Sequence, residues 1–408
     1  MPTSSFLFGR PFLGLAFTLI LGIAAARADD WPQWRGLQRD GTSAETAWTS
    51  TWPAEGPKVL WRAHFGAGCS SFAVVGNRVF TMGNETDVAS VFCLDVRTGE
   101  PVWKYSFPST LDAKLFEGGQ CSTPTVDGGR VYVLGRQGQL FCLDKENGSV
   151  VWSKDLVRDF GVKLAGWGYA GSPLVLGGLL LVDVGGKGTS AVAFDKATGA
   201  VVWQAGDDLE AYSSPYPFLQ GGKQCVAFFN VFGLVVREAA NGKEVFRYPW
   251  KTEWGINAAT PLVADGKVFL SSGYNHGAAL VPLDAPEPKP VWENKNMRNK
   301  MNSCVLWKGY LYGFDEKTLV CMEFATGEVK WKQEGLGMGS LILANGKLII
   351  QAEEGALVVA EAGPEAYKEL ARTEAVPKKT WIAPVLAGGK LFCRNNNGDA
   401  VVFDLSVK

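Results

Sequence analysis

A short unit in which an acidic residue, a glycine and a tryptophan follow one another at fixed spacing constrains this chain more than any other feature. The unit occupies residues 93–103, 142–152 and 193–203, and less regular copies follow, so that it recurs about every 45 residues. A fixed period of this length is typical of repeat architectures, in which each copy is one supersecondary element. Because the repeat is a packing device, any activity must lie outside it.

The acid and the aromatic residue stand eight positions apart in six units. Glycine lies midway in five of them, where a tight hairpin requires a positive φ. The acid can accept backbone N–H bonds within that turn, and the aromatic residue then lies on the returning strand. The pairs are Asp95 with Trp103, Asp144 with Trp152, Asp195 with Trp203, Glu238 with Phe246, Asp284 with Trp292 and Glu323 with Trp331.

A second register marks the first hairpin of each unit. A proline and a glycine stand five positions apart at 124 and 129, 173 and 178, 261 and 266, and 384 and 389, and three further units keep the spacing without proline. Dipeptides such as Asp265-Gly266 and Asn345-Gly346 favour tight β-hairpins. Alternating apolar segments lie between the two registers, so each unit is predicted to contain four antiparallel strands.

The units number eight, and the last one ends at Lys408 without its aromatic strand. The segment from Pro57 to Trp61 supplies that strand from the N-terminal side, which closes the ring and removes the open sheet edges. We therefore predict an all-β fold: an eight-bladed β-propeller of four-stranded antiparallel blades over residues 57–408, closed by an N-terminal strand.

The N-terminus indicates export. Arg10 precedes an apolar run that ends at Ala26, and small residues stand before Asp29, so residues 1–28 are predicted to be a signal peptide. Residues 29–56 are expected to lie across the propeller. We expect the mature protein to be periplasmic or extracellular and monomeric, without stable membrane insertion.

Composition narrows the functional classes. The chain carries 40 basic and 41 acidic residues and lacks a basic stripe, which argues against nucleic-acid binding. Six of the eight cysteines fall into two sets of equivalent slots in different units, so most are expected to be small buried residues. Two histidines and no Cys-x-x-Cys arrangement make a zinc site improbable.

The repeated pattern [Ala/Cys]-x-Asp-x-x-Thr-Gly-x-x-x-Trp resembles the tryptophan-docking repeat of the PQQ-like (pyrroloquinoline quinone repeat) propellers. That superfamily contains quinoprotein alcohol dehydrogenases and the outer-membrane assembly protein BamB. The stretch from Asp30 to Gly41 is similar to the N-terminus of exported bacterial PQQ-repeat proteins. The resemblance implies the propeller fold, and it implies either a BamB-like binding scaffold or a quinoprotein.

Loops on a rigid scaffold are the usual place for a binding site. In a propeller, the loops that lead into each first strand (the leading loops) and those between the second and third strands emerge on one face, here called the loop face. Aromatic, amide and cationic groups converging there suit a small ligand or a peptide. The candidate residues are Trp167, Tyr169, Tyr212, Trp254, Asn257, Tyr274, His276, Lys300 and Trp381.

The leading hypothesis is an exported non-catalytic propeller that binds a protein segment or a small ligand on its loop face, with no catalytic residues, no metal and no cofactor. The alternative is a PQQ-dependent dehydrogenase that oxidises an alcohol or a sugar. Under that alternative the resemblance implies PQQ held with calcium, and Glu210, Glu253 and Asn257 are the candidate oxygen ligands.

Overall fold

The computed structural model describes Met1 and residues 30–113, 116–285 and 287–407. The predicted signal peptide, residues 1–28, lies outside the described residues apart from Met1. Within the described part of the chain, no helix is long and apolar enough to cross a membrane.

Eight antiparallel sheets of four strands form the blades of a propeller, as the two registers predicted. A single five-residue helix, Leu156–Phe160, is the one helical element of the described chain. The strands of blade 1 are Ala73–Val75, Arg78–Glu85, Val88–Asp95 and Pro101–Pro108; of blade 2, Thr125–Asp127, Arg130–Leu134, Gln139–Asp144 and Val150–Asp155; and of blade 3, Leu174–Leu176, Leu179–Asp183, Ala191–Asp195 and Val201–Ala205. Those of blade 4 are Tyr216–Gln220, Lys223–Phe229, Gly233–Glu238 and Glu244–Pro249; of blade 5, Leu262–Ala264, Lys267–Ser272, Gly277–Pro282 and Trp292–Asn294; and of blade 6, Val305–Trp307, Tyr310–Asp315, Thr318–Glu323 and Val329–Gln333. Those of blade 7 are Ser340–Ala344, Lys347–Gln351, Ala356–Glu361 and Glu369–Glu374, and those of blade 8 are Val385–Ala387, Lys390–Arg394, Asp399–Asp404 and Lys58–His64.

The N-terminal strand closes the ring. Lys58–His64 pairs antiparallel with Asp399–Asp404, and a register shift between Val59 and Trp61 repeats the irregularity found beside Trp152 and Trp203. The sheet of blade 7 also gains a short parallel strand, Thr42–Ser43, which the repeat pattern did not predict.

The repeated tryptophans hold neighbouring blades together, and the repeat pattern explains how. Trp103 of blade 1 donates its Nε1–H to the carbonyl of Lys145, the residue after the acid of blade 2, at 2.8 Å. Its ring lies over Gly148, where a Cβ atom would be 2.6 Å from the indole. The acid of the same turn, Asp144, accepts the backbone N–H groups of Glu146 and Asn147. The same docking bond is made by Trp61, Trp152, Trp203 and Trp292, and Trp331 donates to the carbonyl of Gly363, two residues after Glu361.

A belt of hydrogen bonds joins the first strands around the axis. Each blade is linked to the next near the start of its first strand through a serine, threonine or asparagine side chain, and the last bond, from Ser71 Oγ to the Ala383 carbonyl at 2.8 Å, completes the circle. The belt makes the centre of the propeller a rigid frame. Its other members are the contacts Ser71–Thr123, Thr123–Ser172, Ser172–Ser214, Ser213–Ala259, Thr260–Ser303, Asn302–Gly339 and Ser340–Ile382.

Residues 30–56 run across the face opposite the loop face. Trp31 pairs with Val74 at the end of a first strand. Arg39 is fully buried and donates to the carbonyls of Ser172 and Pro173 in blade 3, while Arg35 donates to the carbonyl of Cys304 in blade 6. Burial and the neighbouring Arg35 cation lower the pKa of Arg39 to about 9. The segment therefore closes one end of the central channel.

The junction between blades 7 and 8 lacks a docking tryptophan. Trp48 and Trp52 of the N-terminal segment pack there with apolar residues of both blades. The Nε1–H of Trp52 donates to the carbonyl of Arg372, on the strand where the aromatic residue is missing. The segment thus supplies the contact that the degenerate unit does not.

The short helix Leu156–Phe160 follows the fourth strand of blade 2. Asp155 caps it by accepting the N–H of Arg158, and Gly161 ends it in the left-handed conformation at φ 65°. A single turn is too short to show helical periodicity, so no sequence pattern predicts this helix.

Candidate functional site

A cavity of about 660 Å³ opens on the loop face at the propeller axis. All eight blades contribute residues to its wall, mostly from their leading loops, and one residue comes from the N-terminal segment. A volume of this size suits a small molecule or a few side chains of a peptide. The residues around it are Trp34, Cys69, Phe116, Cys121, Gly166, Trp167, Ala170, Ser172, Tyr212, Ser214, Trp254, Ile256, Ala258, Tyr274, Lys300, Met301, Asn302, Met338 and Trp381.

The N-terminal segment provides the floor of the cavity. Trp34 lines it from below and donates its Nε1–H to Thr260 Oγ1 at 2.9 Å. The indole is held by a member of the hydrogen-bonded belt, so the floor is fixed to the frame of the propeller. As a result, the cavity is a funnel closed below rather than a channel through the ring.

Six of the nine predicted binding residues lie together on the wall of this cavity. Trp254 stands at its rim with 67% of its surface exposed, and the other five are partly buried. The six residues are Trp167, Tyr212, Trp254, Tyr274, Lys300 and Trp381.

The other three predicted residues lie away from the wall. Tyr169 is buried and donates its hydroxyl to the carbonyl of Val184 at 2.7 Å. Asn257 is fully buried and bonds to the carbonyls of Asn230 and Trp250. His276 packs edge-on against the Trp250 ring at 4.5 Å, and burial lowers the pKa of its imidazole. Their contacts stabilise the loops and do not face the cavity.

The oxygen donors proposed for calcium are not assembled on the cavity wall. Glu210 is buried and accepts the N–H of Ala165, Asn257 uses its Oδ1 to accept the hydroxyl of Ser272, and Glu253 is exposed. The described residues contain no group of three or more His, Cys, Asp or Glu side chains suited to a metal. Since calcium prefers several carboxylate and carbonyl oxygens, these residues do not fit a calcium-held quinone.

Glu210 instead positions the loop that carries Trp167. Its carboxylate accepts the Ala165 N–H at 3.0 Å, two residues before the indole. Burial raises the pKa of Glu210. The side chain of Arg136 secures the same loop through a 2.9 Å bond from its Nε to the carbonyl of Trp167. Trp167 is thereby held beside Tyr212, with the two ring centroids 5.6 Å apart.

Trp381 is held from the opposite side. Its Nε1–H donates to Glu353 Oε1 at 3.1 Å, and the second oxygen of Glu353 accepts the N–H of Met338, another wall residue. The ammonium of Lys379 lies 4.6 Å from the centre of the indole ring and pairs with Glu117 at 2.7 Å. A carboxylate thus anchors the two wall residues without lining the cavity itself.

Tyr274 occupies an uncommon backbone conformation. Its φ is 56° and that of Asn275 is 58°, both in the left-handed region that non-glycine residues seldom adopt. The turn points the phenol ring towards the axis, where the Nζ of Lys300 lies 4.6 Å from the ring centre. Strain of this kind is retained where the surrounding structure fixes it, commonly at functional sites.

The wall of the cavity is mostly aromatic and apolar. Among the described residues around the cavity there is no aspartate, glutamate or histidine, and Lys300 is the one cationic side chain. Aromatic and thioether groups dominate, which suits an apolar or ring-shaped ligand with a polar or anionic end. Two thiols, Cys69 and Cys121, are the nucleophiles present.

Sequence reasoning missed several wall residues. Trp34 belongs to a segment that was expected to cross the propeller, but nothing local indicates which face it covers. Most cysteines were expected to be buried, and six of the eight are, whereas Cys69 and Cys121 are half-buried because they stand on the leading loops that open into the funnel. The remaining wall residues that were not predicted, such as Phe116, Met301 and Met338, carry no pattern that separates them from core residues.

The comparisons with known proteins agree with this architecture. A family model described as outer membrane protein assembly factor BamB matches residues 39–122 and 114–333. No curated protein matches the chain. Similar solved structures include BamB from Moraxella catarrhalis, with 15% identity, 86% of this chain and 98% of that chain covered and a TM-score of 0.63. For the quinohemoprotein alcohol dehydrogenase from Comamonas testosteroni, the identity is 12%, 94% of this chain and 82% of that chain are covered, and the TM-score is 0.67. For a europium-containing methanol dehydrogenase, the identity is 11%, 92% of this chain and 89% of that chain are covered, and the TM-score is 0.68. Identities this low show a shared fold alone.

Proposed function

Because the chain belongs to the PQQ-repeat propeller family whose model is described as outer membrane protein assembly factor BamB, we propose that it is an exported, non-catalytic binding propeller. Its loop-face cavity takes an apolar or ring-shaped group, which is carried by a protein segment or by a small molecule. The observation that carries the proposal is the aromatic wall, to which every blade contributes and which contains no carboxylate or imidazole among its described residues.

The geometry supports a preformed site. Trp34, Trp167 and Trp381 are each held by a hydrogen bond to a neighbouring part of the fold, through the indole N–H or the backbone carbonyl. Aromatic groups that are fixed before binding lose little conformational entropy when the ligand arrives. Trp254 is the exception, because its exposed ring can pack on a ligand that enters the funnel. Aromatic anchors at the centre of a desolvated pocket are the residues that usually dominate binding energy.

The quinoprotein alternative finds less support in the site. Its cofactor requires oxygen ligands for calcium and a base beside the substrate, and the described wall contains no carboxylate for either role. The similarity to alcohol and methanol dehydrogenases extends over the scaffold, at identities that carry no argument about the active site.

An environment-sensitive dye provides the test. We expect 8-anilinonaphthalene-1-sulfonate, an aromatic anion, to bind one saturable site per chain. Trp254→Ala and Trp381→Ala should each weaken binding about tenfold or more, since each removes an aromatic anchor. Leu219→Ala is the matched control, because this side chain is 71% exposed but lies on the first hairpin of blade 4, away from the cavity. Equal affinity in all four proteins would contradict the proposal.

Displacement of the dye then identifies the ligand class. Peptides with aromatic and aliphatic side chains, small ring compounds, and PQQ with and without calcium are compared in the same assay. We expect displacement by apolar peptides or ring compounds. We also expect no reduction of an electron-accepting dye when PQQ, calcium and a panel of alcohols and sugars are supplied. Turnover of any of these substrates would establish the dehydrogenase instead.

A further inference from the structure

Two cysteines from different blades meet on the cavity wall. Cys69 lies on the leading loop of blade 1 and Cys121 on that of blade 2. The preceding residues, Gly68 and Gln120, form a parallel β-bridge, and the N–H of Cys69 donates to the carbonyl of Gln120 at 2.8 Å. Paired strands lie about 4.8 Å apart, which is within the Cα separation that a disulfide spans. The two thiols are close enough for each to affect the pKa of the other, and the Cys121 thiol also donates to the carbonyl of Gly119 at 3.9 Å.

These two cysteines differ from the other six in their exposure. Cys93, Cys142, Cys225, Cys304, Cys321 and Cys393 are buried, whereas Cys69 and Cys121 are half-buried and reach the cavity. A solute that enters the funnel can therefore reach this pair and none of the other thiols.

The surroundings of the pair favour one thiolate. Arg394 is fully buried beside the cysteine pair, and its guanidinium donates to the carbonyls of Ser70 and Met82. Because carbonyl oxygens carry no net charge, these bonds do not neutralise the positive charge of Arg394. The hydrogen bond from Cys69, followed by the Arg136 and Arg394 cations, holds the pKa of Cys121 below that of an ordinary thiol. The same hydrogen bond and burial raise the pKa of Cys69. A low-pKa thiolate beside a protonated partner is typical of reactive cysteine pairs.

We propose that Cys69 and Cys121 form a redox-active dithiol that reduces disulfides reaching the cavity and that, once oxidised, covalently links blades 1 and 2. The Cys121 thiolate attacks one sulfur of a disulfide R–S–S–R, which forms a mixed disulfide and releases one thiolate. The Cys69 sulfur, after losing its proton, then attacks the Cys121 sulfur and releases the second thiolate. Two electrons pass to the substrate, the Cys69 proton ends on one released thiolate, and the other takes a proton from water, which gives two molecules of R–SH. An external dithiol reduces the Cys69–Cys121 disulfide back to two thiols and is itself oxidised to a disulfide.

Oxidised glutathione is the probe for this reaction. The reduced full chain is incubated with it under native conditions, free thiols are blocked with N-ethylmaleimide, and the peptides are mapped by mass spectrometry. We expect a peptide pair linked through Cys69 and Cys121, two glutathione molecules released per chain, and unreacted thiols at the six buried positions. This mapping requires no substitution, so it does not depend on the folding of a variant. It also requires no cavity ligand, so its outcome is separate from that of the proposed binding function.

Two variants resolve the order of attack. Cys69→Ser removes the resolving thiol, so a stable glutathione adduct should accumulate on Cys121. Cys121→Ser removes the thiolate, so the reaction at Cys69 should be at least about tenfold slower than in the unsubstituted chain. Cys93→Ser is the matched control, because this thiol is buried and should not change the rate. Absence of the linked pair, a link through other cysteines, or an unchanged rate in Cys121→Ser would overturn the proposal.

Discussion

Replacing Asp183 with asparagine should change how stability depends on pH. Asp183 ends the second strand of blade 3, is 8% exposed, and borders a small cavity of about 10 Å³ with Ser213 and Tyr169. Neither carboxylate oxygen has a hydrogen bond of good geometry, although the Ala211 N–H faces the group. Burial, and then the negative charge of Glu210, raise the pKa of Asp183 well above its ordinary value.

The sign of the effect follows from proton binding. Because the folded chain holds the Asp183 proton more tightly than the unfolded chain, folding is favoured below the ordinary aspartate pKa of about 4. The stabilisation is lost as the pH rises through the raised folded pKa. Over that window the free energy of unfolding falls by up to about 1.4 kcal/mol per pH unit. Glu210, whose pKa burial also raises, contributes in the same direction, whereas Arg237 opposes the shift.

Urea unfolding followed by tryptophan fluorescence between pH 3 and 8 measures the difference. In Asp183→Asn, most of this fall in the free energy of unfolding with pH should disappear. The stability of the variant relative to the unsubstituted chain should therefore increase as the pH rises above about 4. Asp95→Asn is the control of opposite sign: hydrogen bonds from the Arg97 and Thr98 amides lower the pKa of Asp95, so its contribution is lost as the pH falls. Parallel pH profiles for the unsubstituted chain and Asp183→Asn would refute the reasoning.

Three substitutions test the docking and the cavity turn. Trp103→Phe should lower the free energy of unfolding by about 1 kcal/mol, because the bond to the Lys145 carbonyl is lost; an unchanged urea midpoint would contradict this. Gly148→Ala should destabilise the fold by at least about 1 kcal/mol more than Gly128→Ala, since both have positive φ but only the former places a Cβ against the indole. Tyr274→Gly removes the cost of about 1–2 kcal/mol that a non-glycine residue incurs in the left-handed conformation, but it also increases the conformational entropy of the unfolded chain. Because these two effects oppose each other, the urea midpoint should change little, whereas the affinity for the dye should fall. Parallel loss of stability and affinity would show that this side chain is structural.

Much of the fold was predictable because its determinants are local. Each docking tryptophan follows an acid and a glycine within one short unit, so the unit can be recognised from the local sequence. The number of units predicts both the blade count and the need for a closing strand, which Lys58–His64 provides. The N-terminal contacts were harder to predict, because Trp34 and Arg39 meet their partners across large sequence separations. No local sequence pattern indicates to which carbonyl a buried guanidinium will donate its hydrogen bonds.

The site was predictable at the level of loops and not of single side chains. The leading loops and the turn of Tyr274 were identified from their positions in the repeat, and six of their polar and aromatic residues line the cavity. Orientation within a loop depends on tertiary contacts, which is why Trp254 faces solvent while Asn257, three residues later, is buried. The contact of Cys69 with Cys121 has the same origin, since it arises only when blades 1 and 2 pack side by side.

Calorimetric titration of 8-anilinonaphthalene-1-sulfonate at two temperatures tests the central claim most directly. The unsubstituted chain should bind one molecule with a negative heat-capacity change, because apolar surface of the dye and the aromatic wall is removed from water. The double variant Trp254→Ala/Trp381→Ala should lose most of that affinity, whereas Leu219→Ala should keep it. Several weak sites, or full affinity in the double variant, would contradict the assignment of the loop-face cavity as the binding site.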